Sequence, residues 1–498
     1  MRKCIEEQLR IGEVDIEDIQ LDMRSRDEIP KILYGLIEIY KNEEMREKIF
    51  AILKEVIPSH ISQITGRPGI SFWQIFVLGN IRLTCNIDYD KLQELANQHQ
   101  SIRQMLGHSI FDDKQYPLQT LKDNLMLFTP DILDRINKVV VEFGRQVAGA
   151  DKDEEIHAKC DSFPVPTNVH FPTDISLLFD ALRKIITLIM ELNSCFNISG
   201  WRQGKYLLRK LKRLYRLAQK IKHSTSKDEK KRKKRRKLIK EIYSTYLELA
   251  AVLVERAKVT LNNSYSADPL ALSSVIIIEH FIKHAERQID QITRRVLEDE
   301  KIPHSEKVFS IFEEHTEWLS KGKAGVPQVL GLNVCVITDQ YGFILEHLVM
   351  QKETDSGIAV KIIRNAIAKF PNITSCSFDK GFHSPQNQID LVKILNKVYL
   401  PQKGRLSEAR KEVEYSDDFI DACKKHSSIE ASIACLINHG LDICPDHGIF
   451  GFKRYVGLAM VSRNIHHIGH IIQQRKLRKL QKEEKKKRKA SLKLQKAA

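Results

Sequence analysis

Apolar residues return every three or four positions through most of the first 150 residues, in the run from Ile32 to Ile52 and again at Leu118, Leu121 and Leu125. That period places them on one face of a helix, so the N-terminal region reads as α-helical. Within it, GRPGISFWQIFVLGNIRLTCNIDYDKLQELANQHQSIRQMLG, Gly66 to Gly107, has a Pro-Gly start, an apolar helix, an Asn-Ile-Asp-Tyr break and a second, more polar helix. The pair reads either as a helix-turn-helix reader of DNA or as two helices of a core.

From Glu155 the period shortens. IHAKCDSFPVPTNVHF has the β-branched, Pro-punctuated look of a strand. Thr173-Asp174 then caps a helix beginning ISLLFDALRKIITLIMELN, and helical patterning continues to about Glu300. A second β-rich block follows: KVFSIFEEH, VLGLNVCVITD, the turn Asp339-Gln340-Tyr341-Gly342 and GFILEHLVM, the last two strands forming a hairpin. After it come a helix near Ser356 to Phe370, the strand ITSCSFD, a helix from Ser384 to Leu395, the strand KVYLP and a helical block from Glu408 to about Ile472. The order β, long helical insertion, ββ, α, β, α, β, α predicts an α/β fold, a mixed sheet flanked by helices. Expected divisions are a helical, DNA-binding N-terminal region over 1–150, a sheet core over 151–175 and 301–470, a helical basic insertion over 176–300 and a basic tail over 471–498.

The chain of 498 residues is long enough for two or three domains, and 42% hydrophobic with 29% charged residues is a globular composition. No apolar run approaches the roughly 18 to 20 residues that span a bilayer. MRKCIEEQLR lacks the apolar stretch of a signal peptide, and nine scattered cysteines suit a reducing compartment, so a cytoplasmic location is expected. Charge changes the picture more. Lys and Arg outnumber Asp and Glu by 80 to 64, giving +16, which favours a polyanionic partner. The excess sits in two stretches, GKYLLRKLKRLYRLAQKIKHSTSKDEKKRKKRRKLIK from Gly204 to Lys240 and RKLRKLQKEEKKKRK from Arg475 to Lys489; elsewhere acidic residues slightly outnumber basic ones. One Lys run is often only a solvated face; two in one chain point toward nucleic acid.

Three carboxylates fall where a mixed sheet brings element ends together. Asp161 ends IHAKCD, Asp379 ends ITSCSFD, and Glu430 lies near the start of the helix IEASIACLI. Carboxylates meeting there can hold two divalent cations about 4 Å apart, the arrangement that activates one oxygen and stabilises another in phosphodiester cleavage. Hard oxygen ligands suit Mg²⁺ or Mn²⁺, and a bound cation would neutralise an acid at the end of a buried strand. Each has a plainer reading: Asp161 as a turn before Pro164, Asp379 as a turn former in Asp-Lys-Gly, and Glu430 as the far half of a Ser427–Glu430 capping box. Other acids in play are Asp174, Asp180, Glu313, Glu317 and Asp339.

Four ordered blocks carry a resemblance: CDSFPVPTNVHFPTDISLLFDALRK, VFSIFEEHTEWLSKGKAGVPQVLGLNVCVI, SFDKGFHSP, and HSSIEASIACLINHGLDICPDHGIFGFKRYVGLAMVSRNI. They resemble the catalytic blocks of DDE transposases from bacterial insertion sequences, most of all the loosely defined ISNCY group and its relatives, and the GRPG segment is similar to that group's N-terminal region. The resemblance spans most of the chain. It implies an RNase H-like core with a long helical insertion, a catalytic and metal-binding triad of Asp161, Asp379 and Glu430, and two Mg²⁺ (or Mn²⁺) ions. It further implies hydrolysis at the element's terminal repeats followed by attack of the 3′-hydroxyl on target DNA, with a homodimer on double-stranded DNA in the bacterial nucleoid. Residues expected at DNA are Lys323, Lys380, His383, Lys453, Arg454, Lys233, Arg235 and Arg236. One departure stands out. Where relatives carry Tyr, Arg and Lys around the last Glu, this chain has Cys423, His426 and Ile437, with Lys424, Lys425, His439, Lys453 and Arg454 as substitutes.

Two further groupings stand apart. Cys435, His439, Cys444 and His447 invite a zinc reading, against a core pair one helical turn apart. Trp318 with Lys321 and Lys323 reads either as a base- or phosphate-contacting pair or as a half-buried Trp beside a Lys-rich turn. No GxxxxGK[ST] loop occurs, so ATP is not expected. The alternatives to a transposase are a metal-dependent nuclease without strand transfer and an inactive DNA-binding descendant.

Overall fold

Alternating apolar residues fold Ile156–Pro166 into strand β1, and five more strands join it: β2 (Glu317–Ser320), β3 (Gln328–Thr338), β4 (Ile344–Val349), β5 (Ile373–Phe378) and β6 (Lys397–Tyr399). The structure is a computed structural model that describes residues 3–5, 9–57, 69–196, 201–262, 269–320 and 328–497. The strands form one mixed sheet of order β2-β3-β1-β5-β6, with β4 also paired to β3. β3 runs antiparallel to β1 and β4, whereas β5 is parallel to β1 and β6 parallel to β5. Two compact units result, Met1–Asn168 with Leu319–Ala498, and Val169–Trp318.

In the sheet-bearing unit the N-terminal helices are part of the same core as the sheet. The Glu28–Lys41 helix packs on the Gly448–Ala497 helix so closely that a Cβ on Gly35 would collide with the Ile465 carbonyl, and one on Gly469 with that of Lys31. A buried polar knot adds direction. Asn464 Nδ2 donates to Asn137 Oδ1 (2.8 Å) and to the Ile344 carbonyl (2.9 Å), while the Ile344 N–H donates to Asn464 Oδ1 (2.9 Å). Helix Pro130–Ala148, strand β4 and helix Gly448–Ala497 are thereby held in one register. The region expected to stand apart over 1–150 therefore shares its hydrophobic core with β1, β3, β4 and β5.

Local departures have local causes. The Ile32–Ile52 run is two helices, Glu28–Lys41 and Glu43–Lys54, because Asn42 ends the first and its side chain caps the second through the Met45 N–H (3.0 Å). KVFSIFEEH forms no strand: Ser310 Oγ accepts the N–H groups of Phe312 (3.3 Å) and Glu313 (2.9 Å), turning the backbone away from a ladder. The helix pair expected as a DNA reader is Phe72–Thr84 and Tyr89–Gln98. The first is buried along its whole length, and the exposed side of the second presents Asp90, Lys91, Glu94 and Gln98, with Lys91 already on Glu94 at 2.8 Å. That face offers no net positive charge to phosphates.

The second unit is a helical body of Asp174–Phe196, Gly204–Lys220, Glu229–Asn262 and Pro269–Ile292 around Leu178, Leu182, Ile189, Ala250 and Ile278. Trp201 Nε1 donates to Thr260 Oγ1 (2.8 Å) and Tyr246 Oη to the Ile175 carbonyl (3.2 Å), pinning its aromatic core. It extends beyond the 176–300 expected, taking in Phe309 and Trp318, and Trp318 is half-buried beside Phe171 (5.7 Å) and Phe309 (5.6 Å). The basic stretch forms the outer face of two helices. There Lys233 pairs with Glu229 (2.9 Å), Arg236 with Asp299, and Arg235 Nε donates to the Lys222 carbonyl (2.9 Å).

The basic C-terminal stretch belongs to the Gly448–Ala497 helix, whose side chains from Arg475 to Arg488 are exposed or half-buried. Among the described residues no helix is long and apolar enough to cross a membrane.

Candidate active site

The register of the sheet builds the site. β5 lies parallel to β1 with Phe378 opposite Cys160, so Asp379 follows the last paired residue of β5 as Asp161 follows Cys160, and the charge of Asp379 acts on Asp161. Asp161 does not end its strand as the pattern implied. β1 runs on to Pro166 against β3, with Asp161 opposite Val336, while β5 stops at Phe378. The ladder ends on one side of Asp161 only, which leaves a notch where its carboxylate projects.

The face on which Asp161 stands also carries Lys159, two residues earlier. Opposite Lys159 on β5 is Ser377, two residues before Asp379. Across this face lie the helices Asp417–His426 and Ser428–Leu436, tied down by Lys159 Nζ donating to Ser428 Oγ (2.7 Å) and by the Ser377 Oγ–His426 Nδ1 hydrogen bond (2.9 Å). Glu430 follows Ser428 by two residues, as Asp161 follows Lys159. The capping box does not form: Ser427 makes no side-chain cap and donates instead to the Lys424 carbonyl (2.7 Å). Glu430 is exposed, and its approach to the site is electrostatic.

Asp161 records that convergence. Its carboxyl is pushed up to about 6, first by burial and then by the charges of Asp379, Asp355 and Glu430, against the Ser162 N–H that donates to Oδ1 (2.7 Å). Both other acids expected at the site thus act on Asp161. A fourth, Asp355, was not legible as a site residue because Thr354-Asp355 reads as an ordinary helix start, and Thr354 does cap the Asp355–Lys369 helix. Asp355 Oδ1 accepts from Ser162 Oγ (2.7 Å). A Cβ placed on Gly381 would lie 3.0 Å from Asp355 Oδ2 and 3.7 Å from Asp379 Oδ2, so these two carboxylates flank one small space. Lys159 was missed too, although its two-residue spacing from Asp161 was the available signal.

Drawing acids together around a largely buried carboxylate is costly, and the cost has a pH signature. Because Asp161 binds its proton more tightly folded than unfolded, stability falls as pH rises from about 4 through about 6. In EDTA, Asp161→Asn is expected to stabilise the fold at pH 8 by up to about 3 kcal/mol, the gain vanishing below about pH 4. Urea unfolding at the two pH values checks this. A gain that is equal at both would remove the electrostatic account.

A cleft of about 810 Å³ that reaches Ser377 and Ser428 is lined by charges of both signs: Lys397 pairs with Asp418 (2.6 Å) and Lys425 with Asp421 (2.7 Å), beside Lys159, Lys424 and Glu155. On the other side Lys380 is exposed and His383 half-buried. Burial, then the charges of Arg410 and Lys403, hold the His383 imidazole below its usual range, and Lys403 Nζ donates to the Gly381 carbonyl (2.8 Å). Phe382 between them is a core residue, its ring 5.7 Å from Phe378.

Other expected residues are placed differently. Arg454 donates to Asp446 Oδ2 (2.7 Å) and to the Met126 carbonyl (3.2 Å) in a largely buried cluster with Arg82, so its charge is spent within the fold. Lys453 is half-buried; Lys323 and Lys321 lie outside the described residues. Ile437 packs against the core, while His426 is held beside Asp379 and Glu430. Asp339 is wholly buried and bound by Arg145 (2.7 Å), and Asp174 and Asp180 pair with Arg295 and Arg183.

The described residues also hold three tighter groups able to take a metal ion: Asp134, Glu346 and His347; His280, His284 and Glu314; and Cys435, His439 and His466. In the first, Lys369 Nζ already lies 2.5 Å from both Asp134 and Glu346, so an ammonium stands where a cation would. In the second, His280 and His284 both bond one Glu314 oxygen, at 3.1 and 2.5 Å. Comparison of the chain with protein-family models, with curated proteins and with solved structures gives no match.

Proposed function

We propose that this chain is a DDE-type DNA transposase, cutting the ends of its mobile element and joining the 3′-hydroxyls to target DNA. One observation carries the reading: Asp161 and Asp379, distant in sequence, are brought level on adjacent strands, with Glu430 and Asp355 near enough to raise the proton affinity of Asp161. The order and directions of the strands in the mixed sheet support reading it as an RNase H-like core, with the Val169–Trp318 body read as an insertion. Fold likeness alone would not assign chemistry; the grouping of carboxylates is what supports the reading.

In this reading Asp161, Asp379 and Glu430, joined by Asp355, hold two Mg²⁺ or Mn²⁺ ions, which supply a polarised phosphate and an activated oxygen. Hard anionic oxygens, and a burial cost that a cation would relieve, fit such ions. The chain's own residues do the rest. Lys159 and His426, fixed on Ser428 and Ser377, hold the Glu430 helix against the sheet. Lys380 and the lysines of the cleft receive the phosphate backbone, as do the outward bases of Gly204–Lys220 and Glu229–Asn262, so that affinity falls steeply with salt. Two copies act together, because two element ends must be joined.

Pre-cut element ends incubated with a target plasmid and Mn²⁺ distinguish the possibilities. Joined products are expected. Hydrolysis without joining would replace this reading with a nuclease, and end binding with neither reaction would leave a DNA-binding descendant.

A further inference from the structure

A cysteine, two histidines and a glutamate meet in the sheet-bearing unit at a place remote in composition from the acidic site. Cys435 comes from the Ser428–Leu436 helix, His439 from the wide turn Ile437–Leu441 that follows it, His466 from the Gly448–Ala497 helix, and Glu28 opens the Glu28–Lys41 helix. Cys435 Sγ lies 3.6 and 3.7 Å from the two His439 nitrogens. Glu28 Oε2 lies 2.5 Å from His466 Nε2 and 3.8 Å from His439 Nε2. One ligand atom each from Cys435, His439 and His466 falls within 4.8 Å of the others. Tetrahedral zinc, with Zn–S of about 2.3 Å and Zn–N of about 2.0 Å, sets sulfur and nitrogen about 3.5 Å apart, so these side chains already stand near ligand-to-ligand spacing.

The surroundings point the same way. The helix is distorted at this spot: His439 has φ −95° and ψ 42°, and Gly440 has φ 97°, a local departure of the kind that concentrates at functional sites. His439 and His466 are both buried. Among the described residues, buried His466 Nδ1 and Arg463 Nε have no hydrogen-bond partner. A metal-bound thiolate at Cys435 would place an anion near the buried Arg463 guanidinium. Cys444 and His447, the other half of the quartet seen in the sequence, lie outside the group: Cys444 faces the Asp446 carbonyl at 3.9 Å and His447 is exposed.

We propose that Cys435, His439, His466 and Glu28 form a structural site for zinc or a similar borderline-soft divalent cation, tying the Glu28–Lys41 helix to the segment after Glu430. The sulfur and imidazole set selects against the Mg²⁺ or Mn²⁺ suited to carboxylates. With four protein ligands and two buried histidines it is a closed site, and Glu28, partly exposed, gives the ion its access.

The test is metal analysis of the full chain grown with zinc and then washed with a mild chelator. About one zinc per chain is expected, retained when Asp161 and Asp379 are both replaced by Asn, which separates this site from the acidic one. Cys435→Ser and His466→Ala should each lower occupancy roughly tenfold or more. Cobalt loaded into the unmodified protein should show a thiolate-to-cobalt charge-transfer band, lost in Cys435→Ser. This last readout does not depend on the variants folding as well as the parent. A chain that carries no zinc and fails to compete for it against a chromophoric chelator overturns the proposal, as does cobalt bound without a thiolate band.

Discussion

Asp379→Asn is expected to lower divalent-dependent DNA cleavage by about 10³-fold or more while end binding, followed by gel shift, stays nearly unchanged. The substitution keeps the shape of the side chain and removes its charge. Asp379 sits on the short turn after β5, exposed, beside Asp161 and across a small space from Asp355. In the proposed chemistry it is one of the acids that would hold the metals, and losing that ligand would cost the several kcal/mol that a metal ion contributes to transition-state charge, hence the three decades. The lysines that would hold DNA are untouched. Cleavage that survives the change would place the reaction elsewhere in the molecule, and cleavage and binding lost together would show a collapsed fold in place of a disarmed site.

The second large effect concerns the fold. Arg145→Met is expected to destabilise the protein by about 3–5 kcal/mol at neutral pH, because it strands a buried carboxylate. Asp339 is wholly buried; its Oδ2 accepts from Arg145 Nη1 (2.7 Å) and its Oδ1 from the N–H groups of Tyr341 (2.9 Å) and Phe343 (2.8 Å). Burial already raises the Asp339 carboxyl above its usual range, with these partners opposing it. Without the guanidinium it takes up a proton at still higher pH. The deficit of the variant should therefore shrink as pH falls, and a second change, Asp339→Asn, should recover part of it. Urea unfolding of both single variants and the double at two pH values gives the coupling directly. A loss below about 1 kcal/mol would mean that water reaches the pair.

These two acids show what was legible in the chain and what was not. The sequence order of strands and helices could be read because β-branched runs and Gly- or Asp-marked turns announce themselves locally, as in Gln328–Thr338 and the Asp339–Gly342 turn. Asp161, Asp379 and Glu430 were singled out by their places at element ends, yet pattern alone gave Asp339 a similar claim. What separates them is register and burial. Asp339 has an arginine from a helix far away in sequence, whereas the charges that act on Asp161 beside its Ser162 N–H bond are those of other acids. Asp355 stayed hidden because a helix-capping pair looks the same whether or not its acid faces a site. How the N-terminal helices join the sheet stayed hidden for a similar reason: periodicity shows that Ile32, Leu36 and Ile39 share a face, and is silent about which helix covers it.

That covering helix has a consequence for how the protein is made. The Glu28–Lys41 segment emerges early in synthesis, but the surface it buries against, Gly448–Ala497, is translated last of the described elements. Its apolar face, and the β1 strand that waits for β3 and β5, stay without native partners while the helical Val169–Trp318 body is being produced. Long-range closure of this kind is slow and leaves sticky surface open in the meantime. Nascent chains stalled before residue 448 should thus need a chaperone to remain dispersed, and the two glycines that let the helices touch, Gly35 and Gly469, act as the latch that ends this vulnerable period.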